Sequence, residues 1–206
     1  MGYPFGQVRA MNCLAIAAWN AGDLDDALQL VRQAGQIPDI PAKIARERGF
    51  LLAGVLADAG DLAAAEQACA AALAQARDAG DLNSLGYLLP LMADLDLLAG
   101  RAADAAAHLR EAAQLALQTG LSLTMLNVLY YCGYLCAATG RPADAITAWA
   151  VGETFDQQAG SVAAGAETRR QEEARRQARQ VLGLDRARAA EQRGAAMSLA
   201  TAAEYA

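Results

Sequence analysis

Apolar, alanine-rich segments of helical length fill most of this chain, and polar punctuation breaks them at a fixed stride. Gly60, Gly80, Gly100, Gly120, Gly140 and Gly160 stand 20 residues apart, each preceded by Ala or Thr. Glycine best tolerates the left-handed backbone just past a helix end, so each of these pairs marks a helix stop. Asp23, Asp61 and Asp81 follow Gly22, Gly60 and Gly80 directly and are placed to accept the free N–H groups of the next helix. The pattern predicts an all-α chain of stacked helical hairpins.

The hairpins repeat in sequence as well as in length. With Gly22, Gly60, Gly100 and Gly140 set as one point in four units, a small residue stands seven places earlier: Ala15, Ala53, Ala93 and Gly133. One place before that is apolar: Leu14, Leu52, Met92 and Cys132. Five places after the glycine comes Ala27, Ala65, Ala105 or Ala145, and nine after it Val31, Cys69, Leu109 or Trp149. Twelve after it the residue is small again: Ala34, Ala72, Ala112 and Gly152. Close crossing of two helices requires Ala or Gly at the contact and a bulky residue to seal its side. In these positions the chain resembles the tetratricopeptide repeat over about residues 8–158. The period is 40 (38 for the first pair), against a usual period of about 34, so each helix gains about a turn. HEAT-like repeats share the longer spacing, but the Gly-to-Ala offset favours the tetratricopeptide reading. The resemblance implies a right-handed solenoid of about four antiparallel helix pairs over residues 1–160. Residues 161–206, which include the charged run Ser161–Gly183, would supply C-terminal capping helices and a linker.

Hydrophobic residues make up 55% of the 206 and aromatics only 5%, so alanine carries much of the apolar total and favours close helix approach. Polar residues break the apolar stretches before the roughly 18–20 residues that a membrane span needs. No basic-then-apolar leader occupies Met1–Asn20, and the four cysteines fit buried, reduced thiols, so a cytoplasmic location is expected. Net charge is −6, unevenly spread: residues 1–160 carry nine basic and 17 acidic side chains, and residues 161–206 carry eight and six. An acidic body argues against direct nucleic-acid binding. Glu167, Glu172 and Glu173 interleave with Arg169, Arg170, Arg175, Arg176 and Arg179 at helix-pairing distances, the pattern of a solvated capping helix.

Catalytic and cofactor chemistry finds little support. His108 is the only histidine and lacks a partner set for catalysis or zinc. Cys132 and Cys136, at i and i+4, fit core packing better than an incomplete metal site. No phosphate-cradling glycine motif occurs, so no cofactor is expected. The resemblance instead implies a binding groove lined by the first helix of each unit. Carried over, its positions are Arg9, Asn12, Ile16, Trp19 and Asn20, then Glu47, Phe50 and Asp58, then Tyr87 and Asp94, then Asn127, Tyr130 and Tyr134. The expected binding set is Asn12, Trp19, Asn20, Phe50, Tyr87, Asp94, Asn127, Tyr130 and Tyr134, since aromatic rings with polar handles suit a half-wet surface. Its occupant would be a peptide, a partner protein or a small-molecule inducer. The groove lysines of the chaperone-tail clamp are missing, which disfavours that ligand.

From Gly140 onward the chain resembles the segment before the DNA-binding domain in large ATP-binding LuxR-type regulators of actinobacteria, relatives of the maltose regulator. Gly140, Arg141, Pro142 and Ala145 match their G-R-P-x-x-A, and Glu153, Gly160, Leu182 and Gly183 follow at family spacing. Gly194, Met197, Ser198, Leu199, Ala202, Tyr205 and Ala206 match the next run, whereas Ala187, Glu191, Ala200 and Thr201 depart from it. The resemblance implies a signal-coupling module, excised from a chain with an upstream ATPase and a downstream helix-turn-helix. The alternative is a free-standing scaffold that binds a partner peptide.

Overall fold

The computed structural model describes residues 4–120, 122–159, 165–198 and 201, the side chains of 122, 158–159 and 165–171 excepted. Over these residues the chain is all-helical. Four successive pairs are α1 (Pro4–Ala21) with α2 (Leu24–Gly35), α3 (Ala42–Asp58) with α4 (Leu62–Asp78), α5 (Leu82–Leu98) with α6 (Ala102–Thr119), and α7 (Ser122–Ala138) with α8 (Pro142–Ala159). Then come α9 (Gly165–Leu182) and α10 (Leu184–Ala195).

The glycine stride ends helices as expected. Gly60 takes a φ of +86°, its N–H bonds Ala57 O, and the Asp61 N–H reaches back to Leu56 O at 3.0 Å. These two bonds satisfy orphan carbonyls of the last turn and reverse the chain within a few residues. Asp61 and Asp81 then cap α4 and α5, accepting from the N–H groups of Ala64 and Ser84 at 3.1 Å each. Asp23 makes no such bond at the start of α2. Gly160 lies outside the described residues.

Reversals this short force each pair to pack antiparallel, and the repeat register decides what meets. Ala27, Ala65, Ala105 and Ala145 are all fully buried, as are Ala15, Ala53 and Ala93. At Gly133 an added Cβ would lie 2.2 Å from Trp149 Nε1, so this crossing admits no side chain. Val31, Cys69, Leu109 and Trp149 seal the contacts beside the small residues. One repeat position departs. Leu14 is 58% exposed, while Met92 and Cys132 at the matching place are buried. In later units this position faces the preceding even-numbered helix, and none precedes α1 among the described residues.

Helix packing is sequential: α2 lies on α3, α4 on α5, and α6 on α7. The odd-numbered helices also touch one another in a row, α1 to α3 to α5 to α7. Two helices, α9 and α10, follow the four pairs and pack on the last of them. α9 packs on α8, α7 and α1, and α10 packs on α8 more extensively than α9 does. There Gly194 sits against the Thr147 carbonyl, and Thr147 Oγ1 donates to Ala190 O at 3.2 Å. No helix among the described residues is long and apolar enough to cross a membrane.

Candidate functional site

The row of odd-numbered helices holds most of the residues expected to bind, and it uses several of them to hold itself together. The outer end of the Trp19 ring of α1 abuts Gly54 of α3, where an added Cβ would meet it at 2.4 Å, and its Nε1 donates to Asp58 Oδ2 at 2.6 Å. Phe50 of α3 meets Tyr87 of α5 edge to face, with centroids 5.0 Å apart. Tyr134 of α7 contacts Trp149 of α8 in the same manner at 5.6 Å, and tilts against Tyr131. Trp19, Phe50, Tyr87, Asn127 and Tyr134 remain half-buried, and Asn20 is exposed. These six keep some accessible surface, that of Tyr134 in a hollow it shares with Ala174 and Ala178 of α9.

Three further residues of the expected set are buried. Tyr130 is buried between α7 and α8, its ring against Gly152 and its hydroxyl donating to Asp156. Burial and then the Asp156 carboxylate push its pKa upward. A helical projection places Tyr130 on the same side as Tyr134, but Gly152 opens a slot in α8 that draws the ring inward. Asn12 and Asp94 are buried too, and Asn12 Oδ1 has no hydrogen-bond partner among the described residues. Cys13 departs from the expectation of four buried thiols, for it is exposed on α1.

Polar networks not foreseen from sequence stitch neighbouring units. Arg46 of α3, itself buried, donates from Nε and Nη2 to Asp81 Oδ2 at 3.0 and 2.6 Å. Ser84 Oγ donates to the same carboxylate at 2.7 Å and lies 2.9 Å from the Tyr87 hydroxyl. Burial pushes the Asp81 carboxyl up, but the Ser84 hydroxyl, Arg46 and the Ser84 N–H outweigh it and hold it at about 2. Its pKa falls from 3.8 on folding, so its stabilising effect is complete above 3.8 and vanishes as pH drops through about 2. An acid titration of stability should therefore show a loss of about 1 kcal/mol in that window, after allowance for solvent screening. Asp81→Asn should flatten that part of the profile. An unchanged profile would remove Asp81 from the account.

A second network surrounds His108. The buried Asp96 carboxylate accepts from His108 Nδ1 at 2.8 Å and from Arg101 Nε at 3.0 Å, and Arg101 Nη2 reaches Glu66 at 2.6 Å. His108 Nδ1 thus serves an ion cluster between neighbouring helices. Beside it the Cys69 thiol is pushed up to about 12, by burial first and by Asp96 second, so it carries no thiolate character at neutral pH. Burial likewise holds Cys132 at about 12 and raises Cys136. Among the described residues no group of three His, Cys, Asp or Glu side chains is placed to hold a metal ion.

One sequence signal marks these networks. The paired residues stand close to one repeat apart: Trp19 and Asp58 by 39, Arg46 and Asp81 by 35, Arg77 and Glu111 by 34, Arg101 and Glu66 by 35. Opposite charges separated by about one period are thus candidate bridges between units.

The arginine helix is half integrated. Arg175 stacks over the Trp149 ring, 5.7 Å from its centroid, and pairs with Glu153, while Arg179 pairs with Glu191 of α10. Arg176 pairs with Glu173 one turn away, as the interleaved pattern predicts. The side chains of Glu167, Arg169 and Arg170, and residues Leu199, Ala202, Tyr205 and Ala206 of the C-terminal match, lie outside the described residues.

Comparison with family models, with curated proteins and with solved structures finds no match to this chain.

Proposed function

We propose that this chain is a non-catalytic binding and coupling module: a right-handed, tetratricopeptide-like solenoid whose odd-helix row accepts a peptide segment, a partner protein or a small-molecule inducer. The observation that carries this reading is the row itself. Four helices lie side by side, and Trp19, Asn20, Phe50, Tyr87, Asn127 and Tyr134 present half-exposed rings and amides along it. Large rings with polar ends concentrate binding energy at low entropic cost. The seam contacts also support coupling. Trp19–Asp58, Phe50–Tyr87 and Arg46–Asp81 each bridge two units. A ligand pressing on these rings therefore acts on the angle between units, a shift that a repeat array passes to its neighbours.

In the regulator reading, the array links an upstream ATPase to a downstream DNA-binding domain in the cytoplasm and touches no nucleic acid itself. The resemblance from Gly140 onward supports this, and the free-standing scaffold is the second reading. Sequencing the gene on both sides separates them: a phosphate-binding glycine motif upstream and a helix-turn-helix downstream are expected. For the row, peptides selected from a random library on the purified chain should lose about 2 kcal/mol of affinity on Phe50→Ala or Tyr87→Ala. Selected peptides indifferent to both changes would place the binding surface elsewhere.

A further inference from the structure

Unit four carries an altered copy of the ion cluster built in unit three, and the alteration opens a site. In unit three, Arg101 is held by Asp96 and Glu66, with His108 on the same carboxylate and Cys69 beside it. One period of 40 later, Arg141 stands where Arg101 stood. Two of its acids are gone: Cys136 replaces Asp96 and Ala106 replaces Glu66, while Asp144 keeps the place of Asp104. Ala148 replaces His108, whereas Leu109 is larger than the Cys69 it replaces. A further contraction comes from Cys132, which takes the place of Met92.

The removed volume is visible. Between α6 and α8, over the floor of α7, two adjoining cavities of about 360 and 140 Å³ share Cys132, Leu135 and Arg141. Ala106, Leu109, Cys136 and Ala148, the four replacements, all line them. The walls are apolar, and Leu117 on α6 lies 61% exposed at the edge.

Charge at the rim is left without close acid partners. Arg141 approaches Asp144 only to 3.9 Å and Thr139 Oγ1 to 3.5 Å, and Arg110 makes no ion pair among the described residues. By contrast Arg46, Arg77 and Arg101 each hold a carboxylate at 2.6 to 2.7 Å. An apolar cavity with a few polar groups at one end is the usual make-up of a small-ligand site. An arginine fork matches a carboxylate bidentately.

We infer that the cleft between α6 and α8 binds an amphiphilic monocarboxylate, whose head takes on Arg141 the place that Asp96 holds on Arg101 and whose apolar body fills the space vacated by Glu66, His108 and Met92 in the repeat. Asp144 at the rim limits the charge to one, since a second anionic group would face it. This site is separate from the row of rings and stands whether or not that row binds anything.

The probe is decanoate, titrated calorimetrically into the whole chain, with decanol and decyltrimethylammonium as controls of equal length. Expected is one saturable site for decanoate, with both controls at least tenfold weaker. Arg141→Gln should weaken decanoate at least tenfold. Cys132→Met restores the residue of unit three and should close the cleft, with binding lost and helix content retained. Should that variant fold poorly, Leu117→Glu, at an exposed position, places a negative charge on the apolar wall and should weaken decanoate equally. No saturable decanoate binding up to millimolar concentration overturns the inference. So does equal binding of decanol, or full affinity in Arg141→Gln together with Leu117→Glu.

Discussion

Trp149→Ala should lower the stability of the folded chain by about 3–5 kcal/mol, the cost of emptying a fully buried aromatic site that cannot collapse. Trp149 has no exposed surface, donates from Nε1 to the Tyr130 carbonyl at 3.1 Å, and meets Tyr134 on one side and Arg175 on another. Losing it strips contacts from α7, α8 and α9 together. Urea denaturation followed by circular dichroism measures the effect, and a loss under about 1 kcal/mol would show that the α7–α8 contact is misjudged. The same ring makes a coupled test. Gly133→Ala puts a Cβ 2.2 Å from Nε1 and should be destabilising alone, but nearly neutral once Trp149 is already alanine. Tyr130→Ala should also destabilise, because that ring is buried against Gly152.

Gly194→Ala is the smallest change expected to have a large effect. A Cβ there would lie 2.3 Å from the Thr147 carbonyl oxygen and 2.7 Å from Ala150 Cβ. The first obstacle is backbone, so no side-chain rotation relieves it and α10 must move away from α8. Ala187 and Ala190 would be uncovered, and Thr147 would lose its bonds to the Ala190 carbonyl and to Arg193. A cost of about 1–3 kcal/mol follows. Hydrogen exchange over Leu184–Ala195 should speed up more than over α3 or α5. Native protection of α10 in the variant would contradict the packing described.

The helices and their ends were legible because they depend on local chemistry. A left-handed glycine, an aspartate cap and a helical apolar run act within about five residues, so Gly60, Asp61 and the α4 that follows are visible in the string itself. The crossing residues were legible for a related reason. Ala65, Ala105 and Ala145 recur because each unit solves the same contact, and repetition exposes the solution. What the string left open was direction across units. Tyr130 and Tyr134 share a helix face in projection, yet Gly152 admits one ring to the α7–α8 contact while the other keeps an edge outside. Asp23 stands in the same local context as Asp61 and caps nothing.

Sequence alone determined an all-α fold class, the helix stops at Gly60, Gly80, Gly100, Gly120 and Gly140, and the small residues at the crossings, because these follow from backbone conformation and volume at short range. Tertiary structure alone decided that Trp19 and Phe50 serve as seams between units, that α10 joins α9 in covering α8, and that Arg141 overlooks a cleft while Arg101 is fully paired. The seams and the α8–α10 contact turn on residues about 35 to 46 positions apart meeting within a few ångström. Five positions before each arginine, the identity of one residue, Asp96 or Cys136, sets whether that arginine is paired or left open.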